Sequence, residues 1–393
     1  RSFILLAGGA WSVESLPEWC TLSAMNGSNK KTELTLTVQP LTQGTGNREG
    51  EIIFKLDEKD YRFSCKVTQY DTYAEGTEIR LQSATKGKGV QLFLLGDGFD
   101  AQDIAEGRYL DAMKQQMENF FDVEPFRSYR DYFTVNTTIV ESPEQGIGSM
   151  VTARETRFNT SYDNSSTLLT DYEEVRRFVV EAGSEITDAN LADVQIVLVT
   201  NSNDFGGKTE IWADGGALSI CPLSTEESPY DARGIIQHEA GGHGFGKLGD
   251  EGISHYDFIT TCCCPMCQAY NQFLDAKSHG WYQNLSLSGK MSDVPWKHLI
   301  FDSRYSEVVD IYEGGYNHAR AVYRSEASSI MSNYRSYFNT ISRETIVRRI
   351  MELAGETFDF EKFVAADLQS MGQSKQTRMQ VAGELGNYGN RHR

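Results

Sequence analysis

The sequence predicts an α+β protein of two domains, a small β-sandwich followed by a larger α/β domain. Its 393 residues exceed what one ordinary hydrophobic core organises. Residues 11–70 alternate short runs of apolar and polar residues with turn-rich stretches, which is typical of antiparallel sheets. After residue 88, apolar runs of strand length alternate with segments of helical periodicity, which indicates an α/β domain with a mixed sheet.

The sandwich strands are predicted from short runs in which apolar and polar residues alternate. They lie over residues 34–38, 51–56 and 61–67. Glycine- and asparagine-rich stretches between them favour hairpins and loops over helix. We therefore expect a first domain over residues 1–72, a linker or connecting strand over 73–87, and the second domain over 88–393.

Strands and helices alternate along the second domain. The predicted strands cover residues 90–95, 132–140 and 194–199, and the predicted helices cover 103–121 and 172–182. Two more helices are expected near the C-terminus. This order places any catalytic group on an α/β framework.

Composition excludes several classes of partner. Acidic residues outnumber basic ones 55 to 37, and the net charge of −18 should repel nucleic acid. No apolar stretch reaches the roughly 20 residues that span a bilayer, so we expect no membrane-spanning segment. The first residue is Arg1 rather than Met, and the seven cysteines suit an oxidising compartment. We expect a secreted, periplasmic or cell-surface protein whose leader, with or without a lipid-anchored cysteine, has been removed.

One short segment carries the residue types of a zinc hydrolase. Residues 238–243 read His-Glu-Ala-Gly-Gly-His. A catalytic zinc needs two neutral imidazoles, a third ligand and a carboxylate beside the open coordination position to deprotonate water. His238 and His243 would bind one zinc ion, and Glu239 would be the general base, as in peptidases with the H-E-x-x-H motif.

The two histidines are five residues apart, which a regular α-helix cannot use. At 3.6 residues per turn they would lie about 140° apart around the axis. One π-bulge, which adds a residue to a turn, would return both to the same face. Gly241 and Gly242 make such a distortion of the backbone easier. The sequence therefore predicts a helix over residues 230–237 followed by a widened turn between the two ligands.

The third ligand is predicted downstream of the second histidine. Gly246 could end the helix and turn the chain back toward the metal. Asp250 then follows at a suitable distance and is the first choice. Glu251 and His255 remain competitors for the same position.

A methionine further along the chain is a candidate for the floor of the site. Residues 329–334 read Ser-Ile-Met-Ser-Asn-Tyr, which resembles the methionine turn of metzincins, a hydrophobic base beneath the zinc. Met331 would hold that position, with simple core packing as the alternative. Tyr334 could donate a hydrogen bond to the oxyanion formed when water attacks a carbonyl. A tyrosine with a purely structural hydrogen bond is the alternative.

Four cysteines cluster between the third ligand and the methionine turn. Cys262, Cys263, Cys264 and Cys267 could form a structural zinc site, but neighbouring cysteines cannot easily converge on one ion. We expect disulfides or free thiols that tie down this insertion. Redox catalysis lacks a thioredoxin-like context.

The N-terminal segment resembles a BACON domain, an immunoglobulin-like sandwich found beside bacterial surface enzymes. The residues that carry the resemblance are 11–13, 16–19, 34–38, 48–52 and 67–69. The resemblance implies a glycan or mucin contact through this domain, and a structural spacer is the alternative.

The larger domain resembles the IgA-peptidase family of bacterial metallopeptidases, a metzincin-like group. The resemblance covers most of residues 88–370, and the segments that carry it are 95–99, 124–133, 237–251, 313–315, 322–325, 329–331, 342–344 and 346–350. It implies a metzincin-like α/β fold, zinc bound by His238, His243 and Asp250, and Glu239 as general base and later proton donor. It also implies hydrolysis of peptide bonds, without fixing the substrate.

Three functions are compatible with these residues. The first is a zinc-dependent endopeptidase acting on a protein or glycoprotein. The second is a catalytically silent, glycan- or mucin-binding surface protein that retains a metal site, which the altered histidine spacing together with the BACON-like domain suggests. The third is a structural metalloprotein, in which zinc only holds the domain together.

Overall fold

The computed structural model describes residues 2–28, 30–42, 45, 47–57, 61–71, 73–163, 167–259, 265–333 and 337–370. The chain forms two compact units. The first comprises Arg1–Ala74 and Ala101–Tyr109, and the second comprises Glu75–Asp100 and Leu110–Arg393. The predicted boundaries at residues 72 and 88 stay a prediction.

The first unit is built from two antiparallel sheets. Its strands are β1 (Ser2–Leu6), β2 (Trp11–Ser15), β3 (Cys20–Leu22), β4 (Asn26–Gly27), β5 (Lys31–Val38), β6 (Arg48–Leu56) and β7 (Tyr61–Gln69). One sheet has the order β1-β5-β3 and the other has the order β4-β2-β6-β7. Leu5, Trp11, Leu34, Ile52 and Phe54, which come from both sheets, form a shared buried core. The three predicted strands are present, and the expectation of a β domain is confirmed.

The second unit is organised around a six-stranded mixed sheet. Its strands are β8 (Glu78–Gln82), β9 (Val90–Asp97), β10 (Phe133–Thr138), β13 (Gln195–Thr200), β14 (Lys208–Ile211) and β15 (Ala217–Pro222), and β11 (Ser161–Tyr162) pairs separately with β12 (Leu168–Leu169). The order is β14-β15-β13-β9-β10-β8. The four central strands are parallel, whereas β14 and β8 are antiparallel to their neighbours. β8 lies within residues 73–87, for which the sequence predicts a linker or connecting strand.

A smaller sheet lies later in the chain. Its strands are β16 (Ile253–Phe258), β17 (Leu285–Ser286), β18 (Tyr312–Gly315) and β19 (Asn317–Arg324). β19 is central and pairs in parallel with β16 and antiparallel with β17 and β18. This sheet carries loops that border the candidate site described below.

Most predicted helices are present. The helices of the described residues are α1 (Ala101–Ala105), α2 (Arg108–Phe121), α3 (Tyr172–Ala182), α4 (Ala232–Ile236), α5 (Pro265–Ser278), α6 (Lys297–Phe301), α7 (Ile330–Asn333) and α8 (Thr340–Ala354), and a further helix covers residues 360–370. The single helix predicted over 103–121 is wrong, because Gly107 adopts a left-handed backbone with φ 80° and separates α1 from α2. Within the described residues, no helix is both long and apolar enough to cross a bilayer.

Cysteine pairing is described for part of the chain. Cys20, Cys65 and Cys221 are free thiols. Cys262, Cys263 and Cys264 lie outside the described residues, as does the side chain of Cys267. The expectation that these cysteines form disulfides or remain free thiols within the insertion therefore stays a prediction.

A buried carboxylate anchors the loop that follows the main sheet. Asp97 ends β9 and is fully buried. It accepts hydrogen bonds from the hydroxyls of Ser142 at 2.9 Å, Thr156 at 2.9 Å and Thr160 at 2.5 Å, and from the Gly98 N–H at 3.1 Å. One charged group thus fixes three distant points of the chain.

Replacing this carboxylate should destabilise the protein. Asp97→Ala is expected to lower the free energy of unfolding by about 3 kcal/mol, because several charge-assisted hydrogen bonds disappear together. Urea unfolding followed by tryptophan fluorescence measures the change. Asp188→Ala, at an exposed aspartate, serves as the control and should leave the midpoint unchanged. Equal midpoints for both variants would refute the anchoring role of Asp97.

Candidate metal centre

The segment with the two histidines is a π-helix. α4 begins after Asp231, whose carboxylate caps it by accepting from the Gly234 N–H at 2.9 Å. The chain then continues directly into a π-helix over Gln237–Phe245. Because a π-helix bonds residue i to residue i+5, two residues five apart lie on one face. The predicted widening of the turn is confirmed, and it extends over nine residues instead of a single bulge.

Glycines allow this helix to sit tightly in the fold. A Cβ on Gly242 would overlap the sulfur of Met331, which is buried. A Cβ on Gly244 would lie 2.5 Å from Oε1 of Gln195 on β13 and 2.7 Å from Oγ of Ser219 on β15. The glycines therefore serve close packing against the methionine turn and the main sheet.

Three potential ligand atoms converge beside the π-helix. Nε2 of His238 lies 3.1 Å from Nε2 of His243, and Oδ1 of Asp250 lies 3.3 and 3.4 Å from these two nitrogens. Ligand atoms of a tetrahedral zinc with bonds of 2.0–2.1 Å are about 3.3 Å apart. The triangle therefore has the dimensions of three zinc ligands, and these residues form a group that could hold a metal ion.

Hydrogen bonds on the far side of each ring fix which nitrogen faces the centre. Nδ1 of His238 lies 2.9 Å from the Ile330 carbonyl oxygen, and Nδ1 of His243 lies 2.8 Å from that of Leu248. A carbonyl oxygen only accepts, so each Nδ1 carries the proton and donates it. In the neutral rings both Nε2 lone pairs then point at the same place as the Asp250 carboxylate, which is the arrangement of a metal site.

The electrostatics of the three residues also favour a positive charge between them. Burial disfavours the charged form of His243, but the Asp250 carboxylate outweighs burial and raises the pKa of His243 to about 9. Burial acts against ionisation of Asp250, yet the two imidazoles hold the pKa of this carboxyl well below its usual range. A proton on His243 supplies the positive charge that pairs with the Asp250 carboxylate. A cation bound between the three ligand atoms would supply the same charge.

The loop after the π-helix brings Asp250 back to the histidines. Gly246 is the C-cap of the π-helix, so the prediction that it ends the helix is confirmed, but it keeps a right-handed φ of −73° and does not turn the chain. Lys247 makes the turn instead, with a left-handed φ of 51°. The Glu251 N–H then donates to the Met331 carbonyl at 2.7 Å, so that the loop is tied to the methionine turn.

The two competitors for the third ligand position are placed differently. The Glu251 carboxylate is buried, where it accepts from Ser329 Oγ at 2.5 Å, Asn339 Nδ2 at 2.6 Å and Asn284 Nδ2 at 2.9 Å. Burial raises the pKa of Glu251 to about 7 in spite of these donors. Glu251 is not part of the cluster of three ligand atoms, and the His255 side chain lies outside the described residues.

The segment with Met331 packs against the π-helix between the two histidines. α7 carries Met331 under Gly242, and the preceding Ile330 carbonyl accepts from His238. The turn therefore contacts the first histidine, the π-helix and the loop to Asp250. Tyr334 lies outside the described residues, so its expected role stays a prediction.

Glu239 is held by a residue that sequence reasoning missed. Thr209 Oγ1 on β14 donates to Oε2 of Glu239 at 2.8 Å. A Cβ on Gly207 would lie 3.0 Å from the other carboxylate oxygen, Oε1, so this glycine leaves space beside it. The sequence of β14, Lys-Thr-Glu-Ile, does not indicate a functional role for Thr209, because its contact with Glu239 arises only from the packing of β14 on the π-helix.

The ligand cluster opens onto a cleft of about 780 Å³, with Glu239, His243 and Asp250 in its wall. β14 lines the cleft along its length, and α5 lines it further on. Tyr282 and Tyr316 border it beside Asp250. Sequence reasoning missed both tyrosines, which lie 32 and 66 positions after Asp250 in the numbering.

Comparison with known families agrees with the two-part organisation. Residues 9–70 match the BACON domain, described as a proposed N-terminal binding domain. No curated protein matches the chain. Residues 79–307, more than half of the chain, match the model of IgA Peptidase M64. The match includes His238, Glu239, His243 and Asp250 and ends before Met331. On this match, the chain belongs to the IgA peptidase M64 family, a family of peptidases.

Proposed function

We propose that this protein is a zinc-dependent endopeptidase that hydrolyses peptide bonds of a protein or glycoprotein substrate. One zinc ion would be held by His238, His243 and Asp250. The observation that carries the proposal is the convergence of two imidazole lone pairs and one carboxylate oxygen, at zinc spacing, in the wall of a cleft. The family supports the peptidase reaction.

Glu239 would carry the proton through the reaction. A zinc ion held by His238, His243 and Asp250 would supply a Lewis acid for the scissile carbonyl and would lower the pKa of a water molecule bound to it. Thr209 fixes Oε2 of Glu239, which leaves Oε1 to take the proton of the attacking water. Glu239 then gives this proton to the departing amine, so that the same carboxylate is first base and then acid.

The edge of the main sheet offers a place for the substrate backbone. β14 ends the strand order, and within the described residues no strand pairs with its outer edge. Lys208, Thr209, Glu210 and Ile211 of this strand all line the cleft. An extended peptide could pair with the strand through main-chain hydrogen bonds, which suits a protein substrate of varied sequence.

The two other functions have less support. The silent glycan-binding protein rests on the histidine spacing and on the BACON-like domain. The π-helix removes the first of these reasons, since both imidazoles share one face. A purely structural zinc would be enclosed by protein ligands. Here Glu239, His243 and Asp250 line an open cleft.

Location and the N-terminal domain belong to the same proposal. We infer a secreted, periplasmic or cell-surface location from the BACON match, because the resemblance implies a domain found beside bacterial surface enzymes. A glycan contact through this domain would hold the peptidase near glycoprotein substrates.

Removal of metal tests the proposal. The purified protein is expected to contain about one zinc per chain by elemental analysis and to cleave immunoglobulin A or a proteome-derived peptide library. 1,10-Phenanthroline should stop cleavage, and added zinc should restore it. Cleavage that persists in a zinc-free protein would contradict the proposal.

A further inference from the structure

Two tyrosines stand at the edge of the candidate centre without a role in the metal site. Tyr282 and Tyr316 line the same cleft as Glu239, His243 and Asp250. Their rings lie 5.7 Å apart between centres, and both phenols lie within the electrostatic reach of the Asp250 carboxylate. A phenol keeps its proton at neutral pH and can therefore donate a hydrogen bond.

The backbone at both tyrosines is unusual. Tyr282 has φ 53° and Tyr316 has φ 50°, in the left-handed region that bulky residues rarely adopt. Residues held in such conformations cluster at functional sites, where the surrounding structure fixes them.

The loop that carries Asp250 provides this fixation. The Tyr282 N–H donates to the Lys247 carbonyl at 2.8 Å, and the Tyr316 N–H donates to the Asp250 carbonyl at 2.7 Å. A Cβ on Gly249 would lie 3.1 Å from Cγ of Tyr282, so this glycine lets the ring lie against the loop. Both tyrosines are therefore positioned by the segment that also positions the third ligand.

We propose that Tyr316 is a catalytic residue whose hydroxyl donates a hydrogen bond to the oxyanion of the tetrahedral intermediate, and that Tyr282 is its positioning residue. The inference rests on the proposed function. Tyr316 is assigned as the donor because its own backbone is bonded to Asp250.

The proton and electron balance of the step is complete without another reactant. As the water oxygen bonds to the carbonyl carbon, the π electrons move to the carbonyl oxygen and one water proton passes to Glu239. The Tyr316 hydroxyl stabilises the resulting negative charge and keeps its own proton. When the C–N bond breaks, the carbonyl re-forms and the amine takes the proton from Glu239.

Packing explains why aromatic rings occupy positions 282 and 316, but it does not explain why these rings carry hydroxyl groups. Phe273 makes edge contacts with Tyr316 at 5.3 Å and with Tyr282 at 5.8 Å between ring centres. Phenylalanine would preserve these contacts. Tyr270, which packs on the same apolar cluster, offers a matched control, because it is not among the residues that line the cleft.

The experiment uses the full zinc-loaded chain. A fluorogenic peptide is made around the bond that the wild type cleaves fastest in a proteome-derived peptide library. Tyr316→Phe is expected to lower kcat about 100-fold, as loss of one oxyanion donor does, with KM within about threefold of wild type. Tyr282→Phe should lower kcat less, and Tyr270→Phe should match wild type. Zinc content should be the same in all four proteins.

A second readout is independent of turnover. A phosphinic peptide that copies the cleaved bond imitates the tetrahedral intermediate, so its affinity should fall in Tyr316→Phe by a factor similar to the loss in kcat. The affinity of the product peptides, measured by calorimetry, should stay unchanged. Both affinities unchanged would overturn the assignment.

The outcomes separate this inference from the proposed function. If the wild type cleaves the library and Tyr316→Phe behaves like Tyr270→Phe, the role of Tyr316 is refuted while the peptidase stands. A raised KM with unchanged kcat, or a full loss in Tyr334→Phe with none in Tyr316→Phe, refutes it equally. A zinc-loaded wild type that cleaves no peptide of the library refutes the peptidase, and the tyrosine role falls with it.

Discussion

Glu239→Gln is expected to lower kcat by roughly 10³–10⁴-fold, because the side chain that accepts and returns the proton is lost in both steps. The amide has nearly the same shape as the carboxylate and can still accept the hydrogen bond from Thr209. Glu239 is not one of the three clustered ligand residues, so zinc content should remain that of the wild type. Steady-state kinetics on a fluorogenic peptide and elemental analysis of the same sample measure the two quantities.

A charge-matched variant controls for non-specific effects on this strongly acidic protein. Glu307→Gln removes one negative charge at an exposed position outside the cleft and should leave kcat unchanged. If Glu239→Gln retained more than a tenth of wild-type kcat, proton transfer would have to use another group. If it lost zinc together with activity, the assignment of Glu239 as base would lose its support.

Asp250→Asn and Glu251→Gln should differ strongly in zinc affinity. Asp250 presents an oxygen 3.3 and 3.4 Å from the two imidazole nitrogens, whereas the Glu251 oxygens bind Ser329, Asn284 and Asn339. Removing the charge of a ligand is expected to weaken zinc binding more than about 100-fold. This exceeds the roughly 10–100-fold loss that is typical when a residue bonded to a ligand, and not to the metal itself, is changed. Competition with a chromophoric chelator gives the dissociation constants.

The neighbouring variant is the control for the Asp250 result. Glu251→Gln changes the next residue by the same chemical step, so any general effect on the loop appears in both proteins. Circular dichroism checks that each variant is folded. A larger loss of zinc affinity in Glu251→Gln than in Asp250→Asn would make Glu251 the ligand and overturn the proposed centre.

Local patterns predicted much of the fold. The boundaries of α3 and the positions of β5, β7, β9 and β13 followed from the period of apolar residues, because burial on one face acts over a few neighbouring positions. The break at Gly107 and the turn at Lys247 were not predicted. Which residue adopts the left-handed conformation depends on what the flanking segments contact. The sequence predicts the turn at Gly246 because glycine adopts that conformation most easily.

What the sequence alone determined is the identity and order of the central residues and the need for a widened turn between them. His238, Glu239 and His243 lie within six positions, so helix geometry by itself required a widened turn, which the structure contains as a π-helix. The tertiary structure decided which neighbours complete the site. Thr209 on β14, the carbonyl of Ile330 and the two tyrosines beside Asp250 lie far from the motif in the sequence. Such contacts depend on how separate strands and loops pack around one core, and no local periodicity encodes that arrangement.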